Sequence, residues 1–194
     1  GKGRMEAVLI VSSSEKGREF LTELLQGCGF TRPVYAGSGG EARRMLLDQV
    51  FDLVVINAPL QDEFGHDLAL SLTQSTDSGI LMLVKSDLAD AVSARVEDYG
   101  VFVIPRPVGR QLFFQTVKLV NASRKRILGL RKENGRLQEK IEEMRLVDRA
   151  KCTLVQYLGF TEAQAHRYLE KQAMDMRMTR REVAEEILRT YETR

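Results

Sequence analysis

The chain has few of the residues that staple or metallate a small fold. Among 194 residues there are two cysteines, Cys28 and Cys152, and two histidines, His66 and His166. The cysteines lie far apart, with no CxxC pair and no histidine cluster, so neither a disulfide framework nor a zinc site is expected. Both read as small packing residues, and no metal or other cofactor is expected. Tryptophan is absent, proline occurs four times, and the 15 glycines follow no Gly-X-Y period. Collagen-like and low-complexity classes are therefore excluded. Apolar runs such as Val8–Val11 and Ile80–Val84 fall far short of the roughly 20 residues that a bilayer span needs. The segment Gly1 to Glu6 is basic, but the apolar stretch after it is too short for a signal-peptide core. A cytoplasmic location with no membrane partner is the expectation.

What is present is charge, unevenly spread. Residues 1–120 carry 12 Lys and Arg against 15 Asp and Glu, whereas residues 121–194 carry 17 against 12, a local excess of +5. The second part is where an anionic partner would bind, unless its cations are only the solvated face of long helices.

The first 120 residues alternate between two periodicities. Val8–Val11, Leu53–Ile56, Ile80–Val84 and Val101–Ile104 are continuous apolar runs, as strands buried on both faces require, and Pro33–Ala36 is a weaker fifth. Between and after them lie helix-spaced sets: Phe20, Leu21, Leu24 and Leu25 behind a Ser14 cap; Ala42, Met45 and Leu46; Leu68 and Leu72; Ala91, Ala94 and Arg95; Leu112, Phe113, Thr116, Val117 and Val120. Right-handed crossovers then predict an α/β fold, a doubly wound five-stranded parallel sheet with its functional crevice at the carboxyl ends of the strands.

The order of these units, with Pro59 and Gly65 after the third strand and Arg106-Pro107 after the fifth, resembles the receiver domain of bacterial response regulators, a flavodoxin-like fold. The resemblance implies an acidic pair after strand one, a phosphoryl-accepting Asp ending strand three, a Thr or Ser after strand four and a Lys before the strand-five proline. Those positions here read Ser12 and Ser13, Asn57, Val84 and Arg106. Mg²⁺-assisted phosphoryl transfer needs hard carboxylate oxygens and a carboxylate nucleophile, and none is supplied. The expectation is a pseudo-receiver, a degenerate phosphoacceptor pocket kept on a docking or dimerising module. Weaker alternatives are a different small ligand in the altered pocket, or catalysis by Ser12, Ser13 or Ser14 with His66, Asp52 or Asp62 nearby in sequence.

No proline interrupts Arg124 to Arg145, where Ile127, Leu130, Asn134, Leu137, Ile141 and Met144 recur at alternating spacings of three and four. That is a heptad seam, and one polar Asn in it favours a single register and a two-stranded assembly. A parallel homodimer is expected, against the alternative of one long helix packing back on the first domain. Gly129 and Gly135 weaken the helix.

Three helices follow, Leu146 to Leu158, one from Thr161 and one from Thr179. Thr161 with Gln164, and Thr179 with Glu182, each fit a capping box. One apolar stripe per helix, Ala150, Leu154 and Tyr157, then Ala165, Tyr168, Leu169, Ala173 and Met176, then Val183, Ala184, Ile187 and Leu188, predicts an all-α three-helix bundle. Ala150-Lys151 with Leu154, Gly159-Phe160-Thr161-Glu162 with Ala165, Leu169, Ala173-Met174-Asp175, Arg177, and Val183-Ala184 with Ile187 resemble the ANTAR domain, the RNA-binding output of transcription antiterminators attached to receiver domains. The resemblance covers nearly all of residues 147–188, and departs at Cys152, where the family usually has Gly.

The resulting division is residues 1–121 as receiver-like domain, 122–147 as coiled-coil linker and 148–194 as bundle. Removing core positions leaves Lys151, Arg167, Lys171, Arg177, Arg180 and Arg181 as candidate RNA contacts, with Tyr157, Tyr168 or His166 as candidate base contacts. The ANTAR resemblance implies a non-enzymatic antitermination regulator that binds hairpins in nascent leader transcripts, controlled by a protein partner or by dimerisation. A DNA-binding response regulator and a protein-interaction scaffold are the rivals. Glu182, Glu185 and Glu186 on the last helix argue against DNA.

Overall fold

A computed structural model describes residues 7–192, so the basic segment Gly1 to Glu6 lies outside the described residues. The chain divides after Gly129 into two compact units. Among the described residues no helix is long and apolar enough to cross a membrane.

The first unit is a five-stranded parallel sheet in the order β2-β1-β3-β4-β5. Its strands are β1 Val8–Val11, β2 Val34–Ala36, β3 Leu53–Asn57, β4 Gly79–Lys85 and β5 Phe102–Arg106. Helices α1 Glu15–Gly27, α2 Gly39–Asp48, α3 His66–Ser75, α4 Ala89–Val96 and the start of α5, Arg110–Leu158, connect and follow them. The register sets Val8 opposite Leu53, Ile56 opposite Met82 and Lys85 opposite Arg106. Alternate residues of each strand feed two cores. Leu9, Val11, Val54, Ile56, Met82 and Val84 pack with α2, α3 and α4 on one face. Val8, Ile10, Val55, Leu81 and Leu83 pack with α1 and α5 on the other.

Local chemistry starts each helix. Ser14 caps α1 by accepting from the Gly17 amide at 3.1 Å, and Ser38 caps α2 by accepting from the Glu41 amide at 3.1 Å. Gly65 precedes α3 at φ 125°, and a Cβ there would lie 2.9 Å from Ile56 Cγ2. Conformation and space both require glycine. At the amino ends of the strands, Asp52 Oδ2 accepts from the Ala7 amide at 2.9 Å, and its Oδ1 meets Arg124 Nη2 at 3.0 Å. Arg124 Nε also donates to the Asp77 carbonyl, which fastens α5 to that end of the sheet.

Three helical sets need correction. Phe20 and Leu112 are 44% and 49% exposed, and α4 buries Val92 and Val96 while Ala91, Ala94 and Arg95 face outward. An apolar side chain on the flank of a helical stripe satisfies the spacing without reaching the core.

The second unit comprises the remainder of α5, then α6 Glu162–Met176 and α7 Arg180–Glu192. Helix α5 is unbroken over 49 residues, so the expected boundary at Leu146 is absent. Ala150 and Leu154 of α5, Ala165 and Leu169 of α6, and Val183, Ala184, Ile187 and Leu188 of α7 form the core. Both capping boxes are present, Thr161 with Gln164 and Thr179 with Glu182, each with reciprocal bonds of 2.9 to 3.1 Å. Tyr157 and Met176 were expected inside but are 54% and 52% exposed, and Cys152 is exposed while Cys28 is half-buried.

Helix α1 approaches the strand ends closely at Gly17. A Cβ there would collide with Asn57 Nδ2 and lie 2.9 Å from Ser12 Oγ. Helix propensity alone favours alanine by about 1 kcal/mol, but this collision reverses the sign. Gly17→Ala is expected to lower stability by roughly 1–3 kcal/mol in urea unfolding followed by circular dichroism. A gain in stability would show that Asn57 yields without cost.

Candidate functional sites: a closed strand-end pocket and a cationic helical face

The carboxyl ends of β1, β3 and β5 converge on a hydrogen-bonded set that contains no carboxylate. Ser12 is fully buried. Its hydroxyl donates to the Ser14 carbonyl at 3.1 Å and accepts from the Ser14 amide at 3.3 Å and from Asn57 Nδ2 at 3.1 Å. Asn57 Oδ1 accepts from Arg106 Nη1 at 2.8 Å, and the same nitrogen donates to the Ala58 carbonyl at 2.7 Å. Burial lowers the Arg106 pKa from its ordinary value, yet a guanidinium remains charged in any such setting. Ser13 donates to the Gly37 carbonyl and accepts from the Gln61 amide, both at 2.8 Å, so one hydroxyl ties together three loops. Val84 is wholly buried and brings no polar atom.

The nearby acids are committed elsewhere. Asp62 accepts from the amides of Gly39 and Gly40 at 2.9 Å each, and those bonds hold its pKa below the usual carboxylate value. Glu63 pairs with Arg43, and this bond raises the arginine's pKa. Both acids thus serve α2, Asp62 at its first-turn amides and Glu63 at Arg43, while Asp52 belongs to the opposite end of the sheet. The pocket offers hydroxyls, an amide and a guanidinium. That donor set does not fit Mg²⁺, which takes carboxylate and water oxygens. Among the described residues no group of three or more His, Cys, Asp or Glu could hold a metal ion. His66 meets Asp67 at 3.4 Å and the Phe64 ring at 5.6 Å, away from the bonds made by Ser12, Ser13 and Ser14, so the serine–histidine alternative finds no dyad.

Along α5 the seam residues are uncovered. Ile127, Leu130, Leu137, Ile141 and Met144 are 45% to 63% exposed, and Asn134 is exposed among them. The same register returns at Val155 and Leu158, each 42% exposed, after Asp148 and Lys151. Lys151, chosen from sequence as an RNA contact, therefore falls on the seam register. It also lines a shallow groove with Arg180, Lys140, Glu143 and Asp148, where both signs of charge meet.

The structure separates the remaining cations into two groups. Arg180 Nη2 pairs with Glu170 Oε1 at 2.6 Å, the same oxygen lies 3.2 Å from His166 Nε2, and Arg181 Nε pairs with Glu185 at 3.2 Å. Arg167, Lys171 and Arg177 are exposed and make no ion pair among the described residues. Each candidate tyrosine has a ring neighbour, although Tyr157 stays 54% exposed. Tyr168 packs on Phe160 with centroids 5.6 Å apart, and Tyr157 stacks on Tyr191 at 5.4 Å. Two features of this face escaped the sequence reading. Met174 is 80% exposed, and Arg177 closes α6 in the left-handed region at φ 53°, ψ 44°. No glycine marks that cap, so the usual signal for a left-handed residue was missing.

The chain is similar to known proteins over both units. Residues 135–188 match the model of the ANTAR domain. Over 187 residues the chain is 29% identical to the transcriptional regulatory protein PdtaR of Mycobacterium tuberculosis, covering 96% of this chain and 91% of that protein. It is 29% identical over 140 residues to the aliphatic amidase regulator of Pseudomonas aeruginosa, covering 70% and 69% respectively. The signal receiver domain of an HD domain-containing protein from Pseudomonas fluorescens Pf-5 superposes with a TM-score of 0.57 at 20% identity, over 65% of this chain and 93% of that one. A response regulator receiver domain protein from Clostridium thermocellum gives 0.56 at 17% identity, over 64% and 99%. A receiver-like fold is thus continued by one helix into a region that matches the ANTAR domain.

Proposed function

We propose that this protein is a non-enzymatic, dimeric transcription antiterminator that binds hairpins in nascent leader transcripts through α6 and α7. The observation that carries the reading is the coincidence of the ANTAR match at residues 135–188 with a helical face whose Arg167, Lys171 and Arg177 have no carboxylate partner among the described residues. Unpaired cations are free to release counterions on meeting phosphate. Arg180 and Arg181 contribute less, because each must first leave Glu170 or Glu185. The names of the two relatives, a transcriptional regulator and an amidase regulator, point to the same level of control.

In this reading residues 1–121 are a pseudo-receiver in which Asn57 replaces the phosphoacceptor, residues 122–147 hold the dimer seam and residues 148–194 bind RNA. Ile127, Leu130, Asn134, Leu137, Ile141 and Met144 bury their exposed faces against a second copy, which raises the effective concentration of one bundle once the other has engaged RNA. Control comes from a protein partner or from the monomer–dimer balance in the cytoplasm. The Asn57 set supports this division, since the Asn57 amide is already bonded to both Ser12 and Arg106, while Ser13 is committed to Gly37 and Gln61.

Acetyl phosphate is expected to add no stable phosphoryl mass to the protein, and Asn57→Asp alone is expected to add none, because Ser12 and Ser13 still provide no carboxylate for a cation. Stable labelling of the unmodified chain overturns the pseudo-receiver assignment. Titration at two salt concentrations against a stem-loop RNA, duplex DNA of the same sequence and an unrelated RNA tests the output. Stem-loop binding that weakens with salt is expected, and Arg167→Ala or Lys171→Ala should each reduce the salt slope by about one. No preference for RNA would overturn the reading and favour a protein scaffold.

A further inference from the structure

The cations of the bundle can grip a phosphate backbone, but they cannot read a loop, because phosphate contacts carry no base identity. Reading unpaired bases requires an apolar or aromatic surface open to the base face. Tyr168 is packed against Phe160, and Tyr157 has its ring stacked on Tyr191. Outside the α5 seam register, the most exposed large apolar side chain of this unit is Met174, at 80%. Lys171 precedes it by one helical turn on the same face, and Arg177 follows three residues later where α6 ends. Glu170, also one turn back, is already neutralised by Arg180. A flexible, polarisable thioether thus stands open between two unpaired cations.

Arg177 adds a second observation. Its left-handed backbone at φ 53° is the conformation in which glycine is the usual choice, and an arginine there is less favourable than glycine. Its guanidinium thus stands at a position whose backbone conformation favours glycine.

Resting on the RNA reading above, we propose that Met174 is the base-contacting residue of the ANTAR domain, with its thioether against the face of an unpaired loop base while Lys171 and Arg177 hold the flanking phosphates. The contact is apolar, so it discriminates an open loop from a paired stem without changing the salt dependence. Methionine's contacts with flat π systems are of moderate strength, and losing one corresponds to roughly a five-fold drop in affinity.

The test uses the full chain with two probes, a pool of RNA stem-loops with one fixed stem and a randomised loop, and the same stem as a blunt duplex. Wild type should enrich a subset of loops. Met174→Ala should bind the enriched stem-loop about five-fold more weakly and lose the enrichment, with duplex binding and salt slope unchanged. Met174→Leu should retain most of the preference. Met176→Ala, the other exposed methionine of α6 but two residues round the helix, should leave it intact. Arg177→Gly should lower the salt slope by about one without lowering the melting temperature. Unchanged loop enrichment in Met174→Ala, or an equal loss on stem-loop and duplex, overturns the proposal while leaving the RNA reading standing. Failure of wild type to bind either RNA overturns both.

Discussion

Between Arg110 and Leu158 a single backbone hydrogen-bond ladder runs through two compact units, and each unit takes part of its core from it. Phe113, Val117 and Val120 close one core of the sheet, and Ala150 and Leu154 close the bundle. No proline lies in this stretch, and the glycines at 129 and 135 cost about 1 kcal/mol each relative to alanine. Both sit where an added Cβ would meet nothing. The middle of the helix has no core of its own, since residues 131–140 are exposed on every side. A helix of this kind gains its stability from burial of an amphipathic face, and the face it offers is the seam from Ile127 to Met144. Burial against a second copy is the proposed resolution.

The strand-end pocket follows a different logic. A metal-dependent phosphoryl acceptor keeps several anionic oxygens close together at considerable electrostatic cost. Here the corresponding positions form a neutral hydroxyl–amide set joined to one guanidinium, and α1 closes over it at Gly17. The acids that remain, Asp62 and Glu63, bind α2 instead. In the proposed pseudo-receiver, these internal hydrogen bonds stand where a switch would need charge.

Much of this was legible from residue order. Continuous apolar runs placed four strands, the weaker Pro33–Ala36 run placed β2, and Ser14, Thr161 and Thr179 placed helix starts, because these signals are local. That Ser12, Ser13, Asn57 and Val84 bring no carboxylate to the strand ends was also legible, since residue type alone decides it. Edge positions were not. Phe20, Leu112, Tyr157 and Met176 satisfy a helical period but lie on the flank of the stripe. The ion pair of Arg180 with Glu170 joins two helices, so no spacing within either one announces it. Consequently the six cations selected from sequence were not equivalent: three are unpaired, two are paired with acids, and Lys151 shares its face with the seam.

The proposed function requires one α5 seam to deliver two bundles to one RNA. Native mass spectrometry of the full chain with an RNA carrying two tandem hairpins measures this directly. Two chains per RNA are expected, falling to one chain per RNA when Leu137→Lys and Ile141→Lys are combined. A single wild-type chain per two-hairpin RNA, or two chains that persist in the seam variant, would contradict it.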